Sequence, residues 1–181
     1  LKKQPRNALE DKMKINITLG GTSYKAGYVN IDPTLKRLGE DIILENANDD
    51  QTNVIKADVR NLDEVALENE CLEIVAEDIL DYLQINESRT VLAHWISKLR
   101  HGGKIVVGGT DIAEVCRMFY KRAIDLESLN EIIHGSFAES WSVKLSHTTM
   151  EELILFLESQ GVKVTKKRIE GFKMVVEGER P

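Results

Sequence analysis

Apolar positions along the chain fall into two kinds of run. Short β-branched or aromatic stretches at Ile15 to Leu19, Tyr28 to Ile31, Val54 to Ala57, Leu72 to Ala76 and Lys104 to Gly108 are bounded by glycine, Asp-Pro or acids, which predicts strands. Elsewhere the spacing is helical. Val91, Leu92, Trp95, Ile96 and Leu99 form one stripe, predicting a helix over 86–100 capped by Asn86 or Ser88 and stopped by a left-handed turn at Gly102-Gly103. Further helices are expected at 111–121 and 126–133. Thr148 and Thr149 each have a glutamate three residues on, the capping-box pattern, and open a helix that ends at Gly161. Val162 to Ile169 and Phe172 to Val176, joined through Glu170-Gly171, predict a closing hairpin. Residues 34–53 have no clean period and read as a short helix and a loop.

Strands that alternate with helices predict an α/β fold. The expectation is a doubly wound, mostly parallel seven-stranded sheet with helices on both faces and a C-terminal antiparallel hairpin. At 181 residues the chain is long enough for one real core, so 1–181 reads as a single domain, with 1–13 as an N-terminal extension. In such sheets ligands bind beyond the carboxyl ends of the strands, where the winding reverses. That rule selects the turn 18–27, Asp32, Asp58 and the Glu77-Asp78 corner.

Charge narrows the partners. A net charge of -6 argues against a nucleic-acid-binding face, and Lys166-Lys167-Arg168 is expected to be a solvated sheet edge. Cys71 and Cys116, the two cysteines, lack metal-ligand spacing, so no metal is expected and both are expected to be small buried hydrophobes. No apolar run has the length of a membrane span, and the opening Leu1-Lys-Lys-Gln-Pro-Arg lacks a signal-peptide core, which predicts a cytoplasmic protein without membrane contact. The chain opens on Leu1 and not Met, as a trimmed or partial product would.

The chemistry-bearing stretch is Lys14 to Asp32, a strand, a glycine turn at Gly20-Gly21 and a second strand ending on a carboxylate. Glycines let the backbone approach a ligand closely, and an acid at the next strand tip can accept both ribose hydroxyls. Asp32 before Pro33 also fits the start of an Asx-type turn, but the preceding glycine loop favours the ribose-binding role. The three-glycine spacing of a dinucleotide fingerprint is missing, which disfavours a nicotinamide-dependent oxidoreductase.

With these residues in place, the chain resembles the small S-adenosylmethionine-dependent methyltransferases of the class I, Rossmann-like fold. Lys14-Ile-Asn-Ile-Thr-Leu-Gly20 is similar to that family's K-L-N-L-G-C-G, and Gly27-Tyr-Val-Asn-Ile-Asp32 to its G-[WY]-V-N-[IV]-D. Lys56-Ala-Asp58-Val59-Arg-Asn-Leu62 resembles the segment whose acid lies beside the adenine. Asp78-Ile-Leu-Asp-Tyr-Leu83 stands where the family has H-V-L-E-H-[LF]. The stretch Val91 to Lys104 and the late helix from Thr149 to Val162 extend the resemblance to the C-terminus.

The resemblance implies S-adenosylmethionine as cofactor, held by Thr18, Leu19, Gly20, Gly21, Asp32, Asp58, Val59, Glu77 and Asp78. It also implies a small-molecule or carbohydrate acceptor approaching near Asp78 to Tyr82 and the loop 135–147. Thr18 departs from the family's glycine: its β-branched side chain weakens binding, or its hydroxyl bonds the cofactor's methionyl end. Asp78 and Tyr82 replace the family's two histidines, which leaves a non-catalytic binding or assembly module as the rival reading. Methyl transfer rests mainly on alignment, with a base where the acceptor is a hydroxyl or amine. The candidates for that base are Asp81 and His134, with His147 beside them. Asp58 is also placed to serve a helix start, and Trp141 either lines a pocket or anchors its loop.

Overall fold

The computed structural model describes residues 13–21, 23–34 and 53–181. The expected helix and loop at 34–53 lies almost wholly outside them, as does nearly all of the expected N-terminal extension. Seven strands, β1 (Lys14–Ile17), β2 (Val29–Ile31), β3 (Asn53–Ile55), β4 (Cys71–Ala76), β5 (Leu99–Thr110), β6 (Lys163–Glu170) and β7 (Lys173–Glu179), form one sheet in the order β3-β2-β1-β4-β5-β7-β6. The first five are mutually parallel, and β7 runs antiparallel between β5 and β6. The doubly wound expectation therefore holds, with the hairpin inserted so that β6 is the outer strand. Its Lys166, Lys167 and Arg168 are exposed there, where charge blunts strand-to-strand association.

The β-branched runs turn one common face of the sheet onto the helices, and that face is the core. Ile15, Ile17, Ile31, Ile74, Ile105 and Val107 are fully or almost fully buried, packed with Leu92, Trp95, Leu153 and Leu157 from the helices α1 (Ile85–Lys98) and α4 (Met150–Ser159). The two remaining helices, α2 (Ile112–Tyr120) and α3 (Leu126–His134), belong to an excursion that leaves the end of β5 and returns to the same point. Asp111 bridges Thr148, and the Asp111 carboxylate accepts from the backbone N–H of Met150 that opens α4.

Three local expectations are corrected. Helix α1 is capped by Gln84, reciprocally with Glu87, because Ser88 lies a full turn inside and donates to the Ile85 carbonyl. The same helix stops at Lys98 without a glycine turn. Leu99 is already extended and pairs with Cys71, so 99–103 belongs to β5, with Gly102 donating to the Arg180 carbonyl. Cys116 is exposed on α2, whereas Cys71 is buried as expected, and burial pushes its thiol up to about 12.

Candidate functional site at the carboxyl edge of the sheet

The strand order reverses between β1 and β4, and a cavity of about 400 Å³ opens beyond their carboxyl ends. Its walls include Asn16, Thr18, Leu19, Glu77, Asp78 and Asp81. A second cavity of about 370 Å³ adjoins it over Val59, Pro33, Thr34 and Leu83. Leu19, Ile79, Tyr82 and Trp141 line both, so these four side chains form the partition between them.

Asp32 follows β2 directly and is 0% exposed. One carboxylate oxygen accepts from the Gly21 N–H at 2.7 Å and the Tyr24 hydroxyl at 3.1 Å. The other accepts from the Thr34 N–H at 2.9 Å and the Thr34 hydroxyl at 2.6 Å. A carboxylate offers about four lone-pair positions, and four donors among the described residues fill them. Asp32 thus makes the Asx-type turn bond to Thr34 and also holds the glycine turn. Burial, followed by the charge and hydrogen bond of Asp32, raises the Tyr24 phenol to about 12.

Gly20 and Gly21 both adopt φ of +72°, which suits glycine. At Gly20 space matters as well, since a Cβ there would stand 2.5 Å from the Trp141 ring. That indole, from the loop 135–147, lies on the turn backbone and packs obliquely on Tyr82 with ring centres 6.3 Å apart. Beneath the turn, Asn16 donates to Asn30 Oδ1 at 2.8 Å and to the Ser23 carbonyl at 3.0 Å, while Asn30 also accepts from the Lys25 N–H. These two buried amides satisfy backbone groups of the loop after the turn, which stay paired away from water.

The other predicted positions are dispersed along the same edge. Glu77 pairs with Lys25 at 3.3 Å and Asp78 with Lys173 at 3.0 Å at the mouth of the larger cavity. Val59 is buried in the wall of the smaller one, its carbonyl held by the Trp95 indole N–H. Asp58 is exposed and accepts from the Arg60 N–H two residues on, a local turn bond. His134 ends α3, exposed, and lines neither cavity.

Asp81 is 4% exposed and sits at the junction of β5 and the loop 135–147. It accepts from the Thr110 N–H and, at 2.6 Å, from the Thr110 hydroxyl, and Lys144 Nζ lies 3.1 Å away. Gly109 makes this approach feasible, as a Cβ there would stand 2.7 Å from the carboxylate. The Asp81 carbonyl also accepts from Leu145 and Ser146, which ties the loop to the 3-10 turn Leu80–Tyr82. His147 points Nδ1 at the carboxylate from 3.8 Å, while its Nε2 donates to the Ile133 carbonyl at 2.7 Å. Burial alone would raise the Asp81 carboxyl, but His147, Thr110 and the Lys144 ammonium together hold it below its usual range. Asp81 in turn raises His147 against the effect of burial.

Sequence reasoning missed Tyr24, Asn16, Asn30 and Lys144. The two asparagines carried a signal, an amide placed between isoleucine or valine neighbours in strands that are otherwise apolar. Lys144 carried none, because its partner lies 63 residues away in the chain.

No protein-family model matches the sequence, and no curated protein matches it. Solved structures do. Magnesium protoporphyrin IX methyltransferase from Synechocystis PCC 6803, with bound S-adenosylhomocysteine, superposes with a TM-score of 0.60 at 12% identity over 96% of this chain and 76% of its own. The 1,6-didemethyltoxoflavin-N1-methyltransferase of Burkholderia thailandensis, also with S-adenosylhomocysteine, gives 0.56 at 12% identity over 93% and 72%. A protein of Pyrococcus horikoshii OT3 gives 0.62 at 14% over 93% and 82%. At this identity the likeness speaks for architecture. The chain has the class I, Rossmann-like methyltransferase fold.

Proposed function

We propose that this chain binds S-adenosylmethionine at the carboxyl edge of the sheet and transfers its methyl group to a small-molecule or carbohydrate acceptor. The observation that carries the reading is Asp32: a buried carboxylate at the tip of β2, bonded to the glycine turn that follows β1, at the edge where such sheets hold nucleosides. The residues present fit that cofactor in kind. Asp32 would take the ribose hydroxyls, Val59, Ile79 and Leu83 give an apolar wall for the base, and the cavity over Thr18, Glu77 and Asp78 has polar groups for an amino-acid end.

When bound, the cofactor supplies a methyl group on a positively charged sulfur. The protein's part is then to align that group with the acceptor and keep water out. Asp81, already bonded to Thr110 and Lys144 and held in the anionic form, is a poor proton acceptor and a good anchor for the loop that would meet the acceptor. Calorimetric titration with S-adenosylhomocysteine tests the proposal. The wild-type chain is expected to bind, and Asp32→Asn to bind about tenfold or more weakly, since its amide can no longer accept on both oxygens. Absence of binding by the wild-type chain, or equal binding by the variant, would refute it.

A second reading, a non-catalytic module on the same fold, is favoured by the four donors from the chain itself that already fill Asp32. It predicts no methyl transfer to any acceptor even where the cofactor binds.

A further inference from the structure

We infer that the Tyr24 hydroxyl and the Trp141 indole stand in the seat of the nucleoside, so that a ligand enters only when Tyr24 releases Asp32 and the Trp141 indole swings off the turn. The inference rests on the cofactor reading above and adds to it the two residues that set affinity. Three independent features converge on it.

The Tyr24 O–H bonds the Asp32 oxygen that also holds the Gly21 N–H, and a ribose hydroxyl would make the same kind of bond from the same direction. The Trp141 ring rests on Gly20 so closely that any side chain there would collide with it. It also divides the edge into two chambers of about 400 and 370 Å³, each partly walled by Leu19, Ile79 and Tyr82. A nucleoside that carries an amino-acid end has two lobes joined at a sugar. Two chambers meeting at the indole match that outline, with the sugar where the indole now lies; Asp32 lines neither chamber and is reached through Thr34, in the wall of the smaller one.

The loop has an exposed outer part and a fixed base. Residues 136–140 are exposed, and the segment is tied down at its far end by Lys144, Leu145, Ser146 and His147 around Asp81, with Gly135 at its start in a left-handed conformation. Displacing Trp141 therefore leaves the Asp81 cluster intact. Asp32 loses nothing in the exchange, since a ligand hydroxyl replaces the phenol. The cost falls on apparent affinity, which is reduced by the fraction of molecules in the open form.

The test titrates S-adenosylhomocysteine into the wild-type chain, Tyr24→Phe, Trp141→Ala and the double variant. Each single variant is expected to bind about three- to tenfold more tightly, and the double variant at least as tightly as the better single one. Equal or weaker binding by the variants, with binding retained in the wild type, overturns the inference and leaves the cofactor reading standing. It would make Trp141 a stacking partner. Failure of the wild-type chain to bind overturns the cofactor reading and the inference with it.

A second readout needs no substitution. Trp95 is buried in the core, so acrylamide quenching of the chain's tryptophan fluorescence reports Trp141. S-adenosylhomocysteine is expected to raise the quenching constant about twofold, as the indole leaves the turn. A constant that falls or stays the same overturns the inference.

Discussion

Asp32 and Asp81 are both buried carboxylates at the same edge of the sheet, yet they are held in opposite ways. Asp32 is surrounded by neutral donors, two backbone N–H groups and two hydroxyls, all from within 11 residues of it. Asp81 faces charge: Lys144 at 3.1 Å and His147 at 3.8 Å, from 63 and 66 residues along the chain. Neutral hydrogen bonds exchange readily for those of a ligand, since the net worth of one is about 1 kcal/mol. A buried lysine cannot give up its counter-ion so cheaply. One carboxylate is therefore suited to exchange partners and the other to fasten a loop.

The largest expected effect breaks the second of these. Asp81→Ala leaves the largely covered Lys144 without its anion and strips Thr110 of its acceptor, and should cost about 3 kcal/mol, a fall in Tm of about 10 °C. Asp32→Ala, which strands only neutral donors close to water, should cost about 1–3 kcal/mol. Thermal denaturation of both variants compares them, and equal losses would erase the distinction.

Acidity sharpens the contrast next. His147 has its pKa raised above 6.5 by Asp81, so its contribution is fully present below pH 6.5 and is lost as pH rises through the higher folded value. Asp81 has its pKa held below 3.8, so its contribution is present above that and is lost as pH falls through the lower folded value. Urea denaturation should show stability highest from about pH 4 to 6.5 and falling above it. His147→Gln should flatten the decline on the alkaline side. A decline of unchanged steepness in that variant would place its origin elsewhere.

The smallest effect concerns Asp58, whose one turn bond is exposed. Asp58→Asn should shift stability by less than about 0.5 kcal/mol. A loss of S-adenosylhomocysteine affinity in that variant, with stability kept, would give Asp58 the adenine-side role that the resemblance implies and set it beside Asp32.

Much of this edge was legible because its determinants are local. Strand runs at Ile15 to Leu19, Tyr28 to Ile31 and Leu72 to Ala76, with the glycine turn and Asp32 among them, are readable from a few neighbours each, although the first strand ends two residues early, at Ile17. The fold class followed from their alternation with helices. What escaped was set by tertiary contact. The end of α1 is decided by the pairing of Leu99 with Cys71, and Gly102-Gly103 joins a strand because Cys71 and Arg180 supply its partners. The capping of α1 by Gln84 escaped because glutamine is an uncommon cap, although Glu87 three residues on marked the spot. Tyr24 and Trp141 could not be assigned from spacing at all. Their positions depend on how two loops, more than a hundred residues apart, meet over one turn.

The most direct test of the central claim is a crystal structure of the wild-type chain grown with S-adenosylhomocysteine. The account predicts a ribose hydroxyl within hydrogen-bond distance of Asp32 where the Tyr24 hydroxyl now bonds it, the Tyr24 hydroxyl withdrawn, and the Trp141 ring lifted from Gly20. Ligand bound elsewhere, or an Asp32 still holding Tyr24 with ligand present, would contradict it.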